Sequence, residues 1–168
     1  MSLPEDLLEQ SRFLLTRERG KPKQASLRRA VSSAYYAVFH LLTADAASQA
    51  APPAPEGLRD RVQRGLSHGT MKKAAEAFDS KKATPWIDSL LKTPPIHPSV
   101  ASVARSFVRL QEERHKADYD VADRFDRPRV LVLVNEAEKT FRDWNAVRNT
   151  DDARLFLASL MFWNLWSK

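Results

Sequence analysis

The chain has 168 residues and no cysteine, so it is long enough for one domain with a hydrophobic core and it excludes disulfides, cysteine-based zinc sites and a cysteine nucleophile. Hydrophobic residues make up 43% and charged residues 29%, while glycine occurs only 4 times, a mixture that favours an all-α protein. The formal net charge is +6, and the chain shows neither a secretory signal nor an apolar span, so we expect a soluble cytoplasmic protein that does not enter a membrane.

The first part of the chain predicts two helices. Residues 4–19 begin with a proline and two acids and then place leucines on one face. After a break at 20–23, residues 25–47 carry an apolar stripe at spacings of three, four and seven residues. The proline-rich segment 51–55 cannot continue this helix, and it predicts a stiff connection.

The middle of the chain predicts one interrupted helical region and two longer helices. Residues 58–78 have a helical pattern that is broken at 67–69, and prolines bracket a short segment at 86–92. Apolar stripes then predict helices over 99–118 and 128–148.

A final helix over 155–166, with Thr150 as its cap, is apolar nearly all round. One contact with a bundle cannot cover such a helix. It is either a central core helix or an arm that packs on its own bundle and on a second subunit, and we favour the second interpretation. We therefore divide the chain into a bundle of four to five main helices at 1–149 and an apolar C-terminal helix at 150–168.

Positive charge is concentrated in two segments. Residues 12–29 hold seven Lys and Arg residues against one acid, Glu18. The second group consists of Arg59, Arg61, Arg64, Lys72 and Lys73. Such clustering suits a phosphate-bearing partner, although charge alone slightly favours a merely solvated surface.

Four polar or aromatic residues of the 25–47 helix share one face. Arg29, Ser33, Tyr36 and His40 fall at i, i+4, i+7 and i+11, opposite the apolar stripe. Together they offer hydrogen-bond donors for a phosphate and an aromatic plane for a base. The alternative is that Tyr36 and His40 pack under a neighbouring helix with their polar atoms satisfied.

A charged residue also interrupts the apolar stripe of the 99–118 helix. Arg114 lies in line with Phe107 and Leu110, so its guanidinium group needs a partner. Asp118, one turn further on, can pair with it locally. Arg114 is therefore either part of a structural ion pair or a cleft arginine that binds phosphate.

Two segments resemble a known family. Arg28-Arg-Ala-Val-Ser-Ser-Ala-Tyr-Tyr-Ala-Val-Phe-His40 resembles the second-helix signature of HEPN domains, and Glu113-Arg-His-Lys-Ala-Asp-Tyr-Asp120 resembles the Arg-x-x-Ala-Asp-Tyr segment of one branch. His68 followed by Phe78 is similar to a weaker element between them. The resemblance covers roughly residues 5–148. It implies an up-and-down, usually dimeric helical bundle associated with nucleotide and RNA binding, in some members a toxin paired with a nucleotidyltransferase-like antitoxin.

The same resemblance implies a metal-independent ribonuclease in many members, in which an Arg and a His four to six residues later converge across the dimer. This chain departs from that pattern. In the best-matching register the Arg is Arg114, His115 follows it, and Tyr119 occupies the position of the catalytic His. A tyrosine hydroxyl is a poor base near neutral pH. A second register, Arg109 with His115, has the right spacing, but the two side chains lie about 120° apart on a continuous helix.

Three functional hypotheses follow. The first is a dimeric HEPN-like protein that binds RNA or a nucleotide without strong catalysis, with Lys21 and Lys23 supporting the site. The second is a ribonuclease toxin that a partner neutralises, and the third is a protein-interaction module that uses its C-terminal helix. The sequence contains no Gly-rich phosphate loop or zinc-binding helix motif, so we expect neither a cofactor nor a metal.

Overall fold

The computed structural model describes residues 2–51, 56–79 and 85–166. Within these residues the chain forms eight α-helices and no strand, which confirms the predicted all-α class for the described part. The helices are α1 (Leu3–Thr16), α2 (Gln24–Ala50), α3 (Glu56–Gly65), α4 (His68–Ala77), α5 (Pro85–Leu90), α6 (Pro98–Tyr119), α7 (Arg127–Val147) and α8 (Asp151–Trp166).

Helix α2 is the centre of the molecule. Its 27 residues are buried on most sides, and it contacts α1, α3, α6, α7 and α8. The apolar stripe alone would bury one face of α2, but α1 covers a second face. Two hydrogen bonds join these helices: Ser11 Oγ donates to the Ala30 carbonyl at 2.8 Å, and Ser33 Oγ donates to Gln10 Oε1 at 2.9 Å. Small side chains in α2 allow this close packing on several sides.

The other long helices complete the core around α2. Helix α7 packs on α1, α2 and α6, while α4 packs on α6 and α8. The helical region is interrupted, but at 66–67 and not over 67–69 as predicted: α3 ends at Gly65 and α4 starts at His68, with Ser67 as its cap. The predicted proline connection at 51–55 lies, except for Ala51, outside the described residues.

Local sequence signals set the starts of the last three long helices. His97 Nδ1 accepts from the Ser99 amide before α6, and Asp126 Oδ1 accepts from the Arg129 amide before α7. Thr150 Oγ1 accepts from the Ala153 amide, so α8 begins one turn earlier than the apolar pattern predicts. Acidic residues in that first turn interact favourably with the helix N-terminus.

Helix α8 buries one face on α4 and α2 and leaves another face in solvent. Phe156, Leu157 and Leu160 belong to the same apolar core as the rest of the molecule, whereas Phe162 and Leu165 are exposed. Contact of the exposed face with a second subunit stays a prediction. No helix in the described part of the chain is both long enough and apolar enough to cross a membrane.

Candidate functional site

The two segments that carry the family resemblance pack directly against each other. Arg28 of α2 donates from Nη1 to the Ala117 carbonyl and from Nη2 to the Asp120 carbonyl, each at 2.9 Å. Ser32 Oγ, one turn further along α2, donates to Asp118 Oδ1 at 2.6 Å. These bonds fix the C-terminal end of α6 on α2.

Arg114 lies at this contact between α6 and α2. Only 12% of its side chain is exposed, and its guanidinium carbon is 5.3 Å from the ring centre of Tyr35 and 5.4 Å from that of Tyr36. Its Nη2 donates to Tyr36 Oη at 3.3 Å. The electron-rich faces of the two rings attract the positively charged guanidinium group and fix its position.

The predicted pairing of Arg114 with Asp118 is present but loose. Arg114 Nε lies 3.5 Å from Asp118 Oδ2, and this buried nitrogen has no hydrogen-bond partner. Asp118 is also held by Ser32 through its other oxygen. Arg114 is therefore a mostly buried cation whose charge is only partly compensated.

Five ring-bearing side chains form what we call the aromatic–imidazole cluster next to Arg114: Tyr35, Tyr36, Phe39, His40 and His68. His68 Nδ1 and Tyr35 Oη are in hydrogen-bond contact at 2.6 Å, and the imidazole stacks on Phe39 with 4.1 Å between ring centres. Tyr36 and His40 stack less closely, at 6.2 Å.

Burial controls the protonation of this cluster. It lowers the pKa of His68, and the positive charges of Arg114 and His40 lower that pKa further. Burial also lowers the pKa of His40 and raises that of the Tyr35 hydroxyl. Both imidazoles therefore favour their neutral forms, and Tyr35 keeps its proton.

A cavity of about 440 Å³ opens beside Arg114 between α4 and α6. It is lined by Lys72, Gln111, Glu112, Arg114, His115 and Lys116. Ion pairs of 2.8 Å with Glu112 and 2.7 Å with Glu113 already compensate Lys72 and Lys116, respectively. Arg114 is therefore the least compensated positive charge in the cavity wall.

A second cavity, of about 480 Å³, lies between α2, α3 and the start of α4. His40, Arg64 and His68 contribute to its wall. The Gln111 side-chain amide donates to the His68 carbonyl at 3.1 Å, which attaches the start of α4 to α6. The aromatic–imidazole cluster therefore contributes Phe39, His40 and His68 to the wall of the second cavity, whereas the neighbouring Arg114 lines the first.

The structure brings together only part of the residue row predicted on α2. Tyr36 and His40 join the cluster with Arg114, but Ser33 is buried against α1, and Arg29 is exposed. Lys21 and Lys23 are exposed near the start of α2. At 1.5 Å per residue, Lys23 lies about 20 Å along the helix from Tyr36. Lys21 and Lys23 therefore lie far from Tyr36 and His40 along α2.

Neither predicted nuclease pair converges within one chain. Tyr119 is 68% exposed and packs its ring against His115, whereas Arg114 turns towards Tyr36. Arg109 Nη1 lies 2.8 Å from Glu136 Oε2 on α7, while His115 lines the cavity on the α4 side. Since α6 is continuous from Pro98 to Tyr119, no break redirects Arg109.

Two members of the cluster were not among the predicted site residues. Tyr35 occupies a buried position in line with Val31 and Val38, and His68 entered only as a weak element of the resemblance. One signal was available for each. A buried tyrosine hydroxyl needs a partner, and a histidine directly after a serine cap stands at the start of a helix. The first signal does not identify His68 as the partner of Tyr35, and the second does not identify Tyr35 as the partner of His68, because the two residues are 33 positions apart.

The fold and the site define an all-α protein with a partly compensated arginine in the wall of an open cavity. No family model, no curated protein and no solved structure matches the chain. Its function has therefore to be argued from the geometry of the site and from the resemblance of the two packed segments to HEPN motifs.

Proposed function

We propose that the chain is a HEPN-like helical bundle that binds RNA or a nucleotide in the cytoplasm, as a homodimer and without strong catalysis. The observation that carries the proposal is the environment of Arg114. The guanidinium is mostly buried, its Nε has no hydrogen-bond partner, and it borders the 440 Å³ cavity.

An anionic ligand would complete the interactions of this arginine. Burying a charge without full compensation costs free energy, and a phosphate group accepts the planar, paired hydrogen bonds that a guanidinium offers. Lys72 and Lys116 also lie in the cavity wall, but each is paired with a carboxylate, so Arg114 is the cation there that lacks a full set of partners. The contact between the two HEPN-like motifs supports the same interpretation, because it is what positions Arg114.

We propose weak or absent catalysis because of the positions of the histidines. His68 is engaged with Tyr35, and Arg109 pairs with Glu136 on α7 instead of converging on the exposed His115 within the described part of the chain. The alternative, a ribonuclease toxin neutralised by a nucleotidyltransferase-like antitoxin, requires residues from a second subunit to complete the site.

Binding of labelled RNA, measured by fluorescence anisotropy in metal-free buffer, tests the proposal. We expect Arg114→Ala to weaken binding about 10-fold or more, because hydrogen bonds to a charged partner contribute about 1.5–3 kcal/mol. Arg142→Ala is the matched control, since it removes the same charge from an exposed position on α7. Circular dichroism melting of each variant establishes that it is folded, and Arg114→Lys provides a second, milder replacement.

Three results would contradict the proposal. Equal losses in Arg114→Ala and Arg142→Ala would mean that RNA binds only through the general charge of the surface. No binding of RNA or nucleotide by the wild type would leave the protein-interaction module as the better hypothesis. RNA cleavage that His115→Ala abolishes would establish the ribonuclease instead.

A further inference from the structure

Two exposed aromatic side chains stand beside the cavity that contains Arg114. His115 lines the cavity, and the Tyr119 ring lies 4.9 Å from the His115 ring, centre to centre. With 68% of its surface in solvent, Tyr119 contributes little to the core. An exposed aromatic pair next to the incompletely paired Arg114 combines the two groups that bind single-stranded nucleic acid, a stacking surface and positive charge.

The position of this pair is fixed before any ligand arrives. Tyr119 is the last residue of α6, and the bonds from Arg28 and Ser32 hold that end of the helix on α2. Asp120 Oδ1 accepts from the Ala122 amide at 3.0 Å, which orders the turn that follows. A stacking surface on an anchored helix end loses little conformational entropy when a base binds to it.

Resting on the proposed function, we infer that the ligand class is single-stranded RNA, with a phosphate held by Arg114 and an unpaired base stacked on His115 and Tyr119. A duplex does not meet this requirement, because its bases are already stacked and paired within the helix. Tyr119 is then a residue that selects unpaired RNA.

The experiment compares a short labelled RNA strand with the same strand annealed to its complement, using the full chain. Tyr119→Ala is expected to weaken single-strand binding about 10-fold and to leave duplex binding unchanged, whereas Tyr119→Phe keeps the ring and retains binding. Phe13→Ala is the control, because it removes another exposed aromatic side chain from α1.

The results separate this inference from the proposed function. If Arg114→Ala weakens RNA binding but Tyr119→Ala does not, the stacking inference is wrong and the proposed function stands. The stacking inference is also wrong if Tyr119→Ala weakens binding of the single strand and of the duplex equally. It is wrong as well if Tyr119→Phe weakens single-strand binding as much as Tyr119→Ala does. AMP binding as tightly as the strand would assign a free nucleotide instead. Without any RNA or nucleotide binding by the wild type, both proposals fail.

Discussion

At the scale of single residues, the environment of His68 links protonation to folding. The imidazole is half-buried between Phe39 and the Tyr35 hydroxyl, and it lies close to the positive charge of Arg114. Facing groups from the neighbouring helices include Tyr36, His40 and Arg64. Burial is the largest cause of its lowered pKa, followed by the charges of Arg114 and His40. Protonation of His68 therefore opposes the folded arrangement of the cluster.

The folded protein should lose stability as the pH falls from about 7.5 to about 5. Because the pKa of His68 is lower in the folded state than in the unfolded state, the unfolded chain binds more protons within this window. The free energy of unfolding then decreases as the pH decreases. We expect His68→Asn, which replaces Nδ1 by an amide group without a titratable proton, to reduce this decrease. Urea unfolding at several pH values, followed by circular dichroism, measures it.

His115→Asn is the control for this measurement, because it removes an exposed imidazole outside the cluster. A pH dependence that is the same in His68→Asn and in the wild type would show that His68 does not cause it. His40, whose pKa is lowered by burial, contributes in the same direction, so His68→Asn should reduce the decrease without abolishing it.

Residue pairs differ in how far the sequence predicts them. Arg114 and Asp118 are four positions apart on one helix, so helical geometry alone predicts their contact, and the structure confirms it. Tyr35 and His68 belong to different helices, and only tertiary packing brings them together. A polar group that points into the core shows that a partner exists, but it does not identify that partner.

At the scale of helices, arginines hold two helix C-termini in place. Arg28 donates to carbonyls at the end of α6. Arg127 donates from Nε to the Leu15 carbonyl in the last turn of α1 at 3.4 Å, and from Nη2 to the carbonyls of Glu18 and Gly20 in the segment after it, at 2.6 and 3.1 Å. The final carbonyls of a helix have no partner within it, and they carry partial negative charge. A guanidinium from a neighbouring helix satisfies several of them at once.

Arg28→Ala should destabilise the protein by about 2–3 kcal/mol, because it leaves the part-buried carbonyls of Ala117, in the last turn of α6, and of Asp123, in the turn after it, without this donor. Arg28→Lys should restore only part of the loss, since one ammonium group cannot reproduce the spread of the guanidinium donors. Urea unfolding at neutral pH measures both changes.

Arg29→Ala is the matched control for Arg28, because it removes an exposed arginine from the next position of the same helix. We expect it to change stability by less than about 0.5 kcal/mol. If the two variants lose equal stability, the net charge of α2 matters and the contact with α6 does not.

Helix positions were predictable because their signals are local. Proline and capping residues mark the starts of α6 and α7, and the predicted bounds of these helices differ from the observed ones by one residue at each end. The packing of α2 was not predictable in this way. Its stripe indicated one buried face, but Ser33 on the opposite face is also buried, because α1 covers it.

At the scale of the whole molecule, α8 is continuous with the core of the bundle. Phe156 is fully buried, and its ring centre lies 5.0 Å from that of Phe78 in the residues after α4 and 6.1 Å from that of Trp144 in α7. Trp144 Nε1 in turn donates to Asp45 Oδ2 of α2 at 2.6 Å. Phe156 of α8 thus packs against the end of α4 and against α7, and Trp144 in turn links α7 to α2.

This continuity predicts that a cavity made in α8 destabilises the entire protein. Phe156→Ala should lower the free energy of unfolding by about 3–5 kcal/mol, because it removes a buried aromatic ring from a packed core. Phe162→Ala, on the exposed side of the same helix with 42% of its surface in solvent, should lower the free energy of unfolding much less.

Urea unfolding followed by two signals tests whether α8 unfolds together with the bundle. Far-ultraviolet circular dichroism reports the helices, and near-ultraviolet circular dichroism reports the packing of the aromatic side chains. We expect the two transitions to coincide, because the whole protein unfolds as one unit. If α8 were instead an arm docked on an independently folded bundle, Phe156→Ala would separate the two transitions. Part of the helix signal would be lost at low urea, and the remaining core would unfold at the same midpoint urea concentration as the wild type.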